Sequence, residues 1–299
     1  MKDAEAFLSA LQRGSSLFAP RALATFDANR ELCSWLLDPL ARWASAAYGE
    51  QVFDEAARGY VRYCLGVARA QGIYEHAGRY TPEALPQIFS EVYDDAGYMI
   101  PYMWAAILIY AFWPSMVGHL ALFRDEFLRR LAPGGTVLEL ACGHGVLSLL
   151  AAQERPDLRV TALDISAPAI AVARRLCAAA GHGERVRFVV ADALQDEDAL
   201  PGGGCQGIIS AMLAEHLPAP AALLAAIARR LAPEGLVFFS TALESAQRDH
   251  VFEFHAESEP LRLAEQAGLR TSRLISDASA VPLQAGFLPR AAAMILRRR

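Results

Sequence analysis

The chain has 299 residues, of which 54% are hydrophobic and 20% charged, and its formal net charge is −5. This length and apolar content suffice for a substantial core in one large or two modest domains, and they exclude intrinsic disorder. An acidic balance leaves no electrostatic footprint for nucleic acid, and Arg297-Arg298-Arg299 reads as a solvated basic end.

The opening residues Met1 to Glu5 lack the basic-then-apolar pattern of a signal peptide. Five cysteines, Cys33, Cys64, Cys142, Cys177 and Cys205, lie far apart with no CxxC pair. That spacing argues against a disulfide framework and against a metal site, and it suits a reducing cytoplasm. Up to residue 132, apolar residues recur at helical spacing, as in Leu32, Trp35, Leu36, Leu40 and Trp43. Pro20, Pro39, Pro82, Pro86, Pro101 and Pro114 are expected to divide this stretch into five or six helices. From Tyr98 to Phe123 there is no charged residue, but Pro101 and Pro114 leave only twelve residues between them. About 20 are needed to span a bilayer, so a buried helix is expected and no membrane span. The aromatics here, among them Tyr60, Tyr63, Tyr93, Tyr98, Tyr102, Trp104, Tyr110 and Trp113, form helical core one by one. Together they offer the wall of a hydrophobic pocket or a homodimer interface.

At Pro133 the pattern changes to strand, turn, helix, repeated, giving an expected boundary between a helical region 1–132 and an α/β domain 133–299. Strands are predicted at 136–140, 159–163, 186–190, 207–210, 236–241, 269–275 and 292–296, with helices at 146–154, 168–180, 221–231 and 260–267. The alternation implies right-handed crossovers and a doubly wound, Rossmann-like, mainly parallel seven-stranded sheet.

The most informative segment joins the first strand to the first of these helices, where Gly143 and Gly145 permit a tight turn and close approach of a ligand to the backbone. A dinucleotide fingerprint needs a third glycine, and Ser148 stands there. Glu139, on the strand itself, would repel a pyrophosphate and attract a ligand carrying a sulfonium and an ammonium. Asp164 ends the second strand, where a carboxylate accepts from ribose hydroxyls, and Asp192 ends the third, within reach of an adenine edge.

These residues resemble the class I S-adenosylmethionine-dependent methyltransferases. Their first motif, acidic-x-Gly-x-Gly-x-Gly, is similar to Glu139 through Gly145, with Ala141 in place of the first glycine. The resemblance implies S-adenosylmethionine as cofactor and S-adenosylhomocysteine as product. It assigns Asp164 to the ribose, Ile165 to the adenine face, and Asp192 with Ala193 to the adenine edge. Ile209, Ser210, Ala211 and Met212 resemble the motif that lines the methionine end. The similarity covers about 133–299 and is nearly silent on the acceptor.

Methyl transfer to oxygen calls for a base near neutral pKa, and histidine is the usual group. Of seven histidines, His216 is preferred because it follows the fourth strand on the cofactor edge; His250 and His255 follow the fifth. His144 is expected to touch cofactor or cap a helix, His119 belongs to the apolar helical region, and Cys142 is expected to be a small loop-filling residue. The favoured reading is a soluble, cytoplasmic small-molecule methyltransferase of natural-product type with an aromatic helical lid. Its expected acceptor atom is a phenol or enol oxygen, followed by an activated carbon and then nitrogen. A nicotinamide oxidoreductase, a cyclase on the same fold, and a non-catalytic cofactor-binding protein are the competing classes.

Overall fold

The computed structural model describes residues 3–196, 204–276 and 290–299. The helical region comprises α1 (Glu5–Gly14), α2 (Ala19–Ala28), α3 (Arg30–Tyr48), α4 (Gln51–Ala77), α5 (Leu85–Ile88), α6 (Ala96–Phe112) and α7 (Pro114–Ala121). Two π-helical turns follow α5 and α7, at Phe89–Tyr93 and Leu122–Phe127. Pro20, Pro86 and Pro114 occupy first turns, where a missing N–H costs nothing.

Pro39 and Pro101 correct the expectation that every proline divides helices, because they lie inside α3 and α6. An interior proline costs about 3 kcal/mol. Burial outweighs it here: Leu36, Leu37 and Leu40 around Pro39, and Met103 and Trp104 after Pro101, are withdrawn from water at about 1.5–3 kcal/mol each. Gly59 of α4 makes room for this packing, since a Cβ there would sit 2.5 Å from the Pro101 carbonyl oxygen. No single helix among the described residues is long and apolar enough to cross a membrane. Instead α6 meets the helical run Pro114–Arg130 at 84°.

The sheet contains β1 (Thr136–Leu140), β2 (Arg159–Asp164), β3 (Val186–Val190), β4 (Cys205–Ala211), β5 (Leu231–Leu243), β6 (Leu269–Ser276) and β7 (Arg290–Arg298). Between them run α8 (Val146–Glu154), α9 (Ala167–Ala180), α10 (Pro220–Arg230) and α11 (Ser258–Gln266). The strand order is β3-β2-β1-β4-β5-β7-β6, parallel except for β7, which pairs antiparallel with β5 and β6. This is the doubly wound seven-stranded sheet that the alternation predicts.

Side chains alternate between the sheet's faces at the two-residue period of a strand. Val137, Val160, Ile209, Phe238 and Ile295 face α8, α9 and the N-terminal helices. Leu138, Leu140, Ile208, Phe239 and Met294 face α10 and α11. The first core is continuous across Pro133, since Phe123 and Phe127 pack their rings on Phe238 at 5.3 and 6.3 Å. The Trp35 indole N–H donates to Glu154 of α8 at 3.0 Å. The helical region is thus anchored on the sheet, and its α5–α6 portion reaches over the carboxyl ends of β1, β2 and β4.

Candidate active site

The turn from β1 to α8 is built from residues with positive φ: Ala141 at 55°, Gly143 at 53° and Gly145 at 68°. Gly145 has no substitute, because a Cβ would lie 2.3 Å from the Phe188 ring. A Cβ on Gly143 would meet the sulfur of Met103 at 2.8 Å. Ala141, where a glycine usually stands, adopts the left-handed conformation at a cost of about 1–2 kcal/mol. The Asp164 carboxylate fixes the turn, accepting from the Gly143 N–H at 2.8 Å and, through its other oxygen, from the Ser166 N–H at 2.8 Å. His144 caps α8: its Nδ1 accepts from the Val146 N–H at 3.0 Å, and burial lowers its pKa to about 3, keeping it neutral.

Glu139 is buried at the base of this turn. It accepts from the Ser148 backbone N–H at 3.1 Å and from the Ser148 hydroxyl. Burial raises its pKa to about 8. The residue that breaks the dinucleotide fingerprint is therefore the partner of the strand's carboxylate, a role the motif comparison does not reveal. Asp192 lies two residues beyond β3, and one of its oxygens accepts from the Leu194 N–H at 2.7 Å. Ile165 leaves 40% of its surface exposed and lines the cavity beside this turn.

One cavity of about 600 Å³ joins Glu139, Ala141, Gly143, Asp164, Ile165, Asp192, Ala193 and Ala211. Its opposite wall is apolar and aromatic, with Tyr93, Met99, Tyr102, Met103, Ile109 and Tyr110 from the helical region. The π-helical turn delivers Tyr93 to this wall, and burial pushes its phenol well above the usual range. The lining carries five carboxylates, the three above with Glu215 and Asp249, and no Lys or Arg among the described residues.

His216 and His250 both line the cavity, with rings edge to face at 4.7 Å. His216 Nδ1 is 3.0 Å from the Asp249 carbonyl, 3.3 Å from Asp249 Oδ2 and 3.1 Å from the Tyr93 hydroxyl. A carbonyl only accepts, so Nδ1 carries a proton, and the lone pair of the neutral ring then belongs to Nε2. His250 is held alike, its Nδ1–H donating to the Ser245 carbonyl at 2.6 Å. Burial, then the neighbouring His216, lowers the His250 pKa. His255 is outside this constellation, with its side chain 60% exposed and 3.6 Å from Glu253. His119 is buried away from the cavity, in the helical region. Cys142 lines the cavity as a buried thiol whose pKa burial pushes well up, as a loop-filling side chain would be. Sequence reasoning missed Glu215 and Asp249, whose one signal is that each precedes a histidine, and it read Tyr93 only as one ring of an aromatic wall.

A methyltransferase-domain family model matches residues 115–270, just over half of the chain. The release factor glutamine methyltransferase of Chlorobaculum tepidum is 40% identical over 90 residues, 28% of this chain and 31% of that protein. The ubiquinone biosynthesis O-methyltransferase of Photobacterium profundum is 31% identical over 158 residues, 50% of this chain and 64% of that protein. In both cases the chain spans less than two thirds of the relative's length. Among solved structures, an O-methyltransferase family protein from Burkholderia thailandensis superposes with a TM-score of 0.57 at 15% identity, covering 82% of this chain and 72% of that one. That likeness supports the fold.

Proposed function

The chain belongs to the class I S-adenosylmethionine-dependent methyltransferases, and from that premise we propose that it methylates an oxygen, a phenol or enol, of a small hydrophobic acceptor. The observation that carries this reading is the single cavity, which joins an acid-lined glycine turn to an apolar wall with an imidazole lone pair between them. The residues present fit the cofactor. Glu139 and a lining without Lys or Arg among the described residues suit a cationic sulfonium and ammonium, and Gly143 leaves the space that a Cβ would take. Ile165 offers a bare apolar face to a base, while Asp164 and Asp192 supply acceptors for hydroxyl and amino groups.

When bound, S-adenosylmethionine supplies an electrophilic methyl carbon. The acceptor oxygen would take that carbon as the C–S bond breaks, with sulfur keeping the electron pair. The hydroxyl proton must leave, and we assign its removal to His216 Nε2; the Nδ1 contacts with Asp249 and the place of His216 in the cavity lining support that reading. Met99, Met103, Tyr102 and Ile109 keep water from the reacting atoms and bury the acceptor body. Acceptance of the methyl group by oxygen also agrees with the reaction named for the Photobacterium relative.

The test is calorimetric titration with S-adenosylmethionine, S-adenosylhomocysteine and NAD, followed by a screen of phenols and enols for S-adenosylhomocysteine release. Binding of the first two and turnover of an oxygen acceptor are expected. Binding of NAD alone would overturn the reading of the turn. His216→Ala should lower kcat by about 10²–10⁴-fold with S-adenosylhomocysteine affinity unchanged; a wild-type kcat would remove His216 from the mechanism.

A further inference from the structure

Chain spacing hides a second property of this site. Glu215 and His216 close the turn after β4, and His250 lies 34 residues later, a separation that matches no familiar metal-ligand spacing. The fold brings them together, so that one donor atom from each lies within 4.8 Å of the others.

Three features set this group apart from a satisfied polar core. First, Glu215 is fully buried and only half used. Its Oε2 accepts from the Thr241 hydroxyl at 2.8 Å, while Oε1 has no hydrogen-bond partner among the described residues. An unpaired buried carboxylate oxygen is costly, so its retention calls for a ligand. Its backbone is fixed as well, with the carbonyl accepting from the Val251 and Phe252 N–H groups at 2.9 and 3.0 Å. Second, both imidazoles are anchored through Nδ1–H on backbone carbonyls, at Asp249 and Ser245, leaving both Nε2 lone pairs free. That arrangement orients metal-ligating histidines and fixes their tautomer. Third, Asp249 Oδ2, also buried, lies 3.3 Å from His216 Nδ1 without a hydrogen bond, and the cavity lining has no Lys or Arg among the described residues to balance either carboxylate.

We propose that Glu215, His216 and His250 bind one divalent transition-metal cation of the Zn²⁺ or Mn²⁺ type. Two imidazole nitrogens and one carboxylate oxygen form a borderline donor set that leaves positions open for a substrate oxygen. The chemical consequence rests on the reading of the cavity as a methyl-transfer site; cation binding does not. In the loaded protein the acceptor hydroxyl coordinates the cation and loses its proton to solvent, and the imidazoles serve as ligands in place of the base. An acceptor with two adjacent oxygens, able to chelate, is then favoured over one with a single hydroxyl.

The experiment uses the full chain without a polyhistidine tag, stripped with EDTA and titrated with Mn²⁺ by electron paramagnetic resonance and with Zn²⁺ by calorimetry. One equivalent is expected to bind. Glu215→Gln and His250→Asn, with S-adenosylhomocysteine affinity as the check on folding, should each weaken binding at least tenfold. No binding by the wild type, or equal binding by both folded variants, overturns the site. Turnover unchanged after EDTA in a protein that binds no metal sinks this proposal and leaves methyl transfer standing. Stoichiometric metal binding with no S-adenosylhomocysteine formed from any acceptor does the reverse.

Discussion

Cofactor binding should expel a proton from Glu139. In the free protein this carboxyl is buried and raised to about 8, so at pH 7 it is mostly protonated. A sulfonium and an ammonium placed beside it favour the carboxylate. Ionising it one unit below its pKa costs about 1.4 kcal/mol, a tenfold penalty on affinity, and releases about 0.9 proton per cofactor bound. Calorimetry at pH 7 in two buffers of different ionisation enthalpy reads that proton count directly. The ligand's own α-amino group titrates near pH 8, so Glu139→Gln supplies the baseline. The ratio of wild-type to variant affinity should widen about tenfold from pH 7 to pH 9. Stability carries the opposite sign. Between about 4.5 and 8 the native state holds a proton that the unfolded chain has lost, so stability falls as pH climbs through that window. Glu139→Gln should therefore be the more stable protein at pH 9, by a few kcal/mol. Equal proton release in the two proteins, with a flat affinity ratio, would show that Glu139 does not sense the cofactor's charge.

Three further outcomes follow from the same geometry. Asp164→Ala removes the acceptor of two N–H groups in the turn and the expected ribose contact. Calorimetry should show S-adenosylmethionine affinity reduced by about one to two orders of magnitude, about 1.4 kcal/mol per tenfold. Gly145→Ala forces a Cβ to 2.3 Å from Phe188 at φ 68°; denaturant unfolding should show a loss of about 2–4 kcal/mol. His119 is buried, its Nδ1 has no partner, and burial lowers its pKa to about 4. The unfolded chain takes up that proton near pH 6.5. His119 therefore costs stability as pH falls from 6.5 towards 4, reaching about 3 kcal/mol. In thermal melts at pH 4.5, His119→Leu should lose less stability than the wild type relative to pH 7.

The sheet was legible because its signal is local. The alternation around Val137, Leu138 and Leu140 is set by the strand period, and Gly143 and Gly145 mark a turn whose φ values few other residues tolerate. The carboxylates at strand ends were legible for the same reason: a residue that ends a parallel strand has its position fixed by the sheet. The helical region was less so. Pro39 and Pro101 read as breaks because proline's local cost is visible in the sequence, whereas the burial that outweighs it depends on partners such as Gly59 and Trp104.

The acceptor side fails to show in sequence for a related reason, and the reason says what that side is for. Glu215, His216 and His250 converge only because α10 carries the chain away and β5, parallel to β4, brings it back, and because Val251 and Phe252 donate their N–H groups to the Glu215 carbonyl. Tyr93 reaches His216 across 123 residues, on a π-helical turn that nothing in its own sequence announces. The cofactor end is thus made at the carboxyl ends of neighbouring parallel strands, whose positions the sheet fixes. The acceptor end is made by contacts between segments distant in the chain, and those can change without disturbing the sheet. A donor set assembled in this way is a property of the loops that follow β4 and β5 in this chain. Replacing Glu215 or His250 should therefore alter metal binding and acceptor choice, while the turn around Gly143 keeps its affinity for the cofactor.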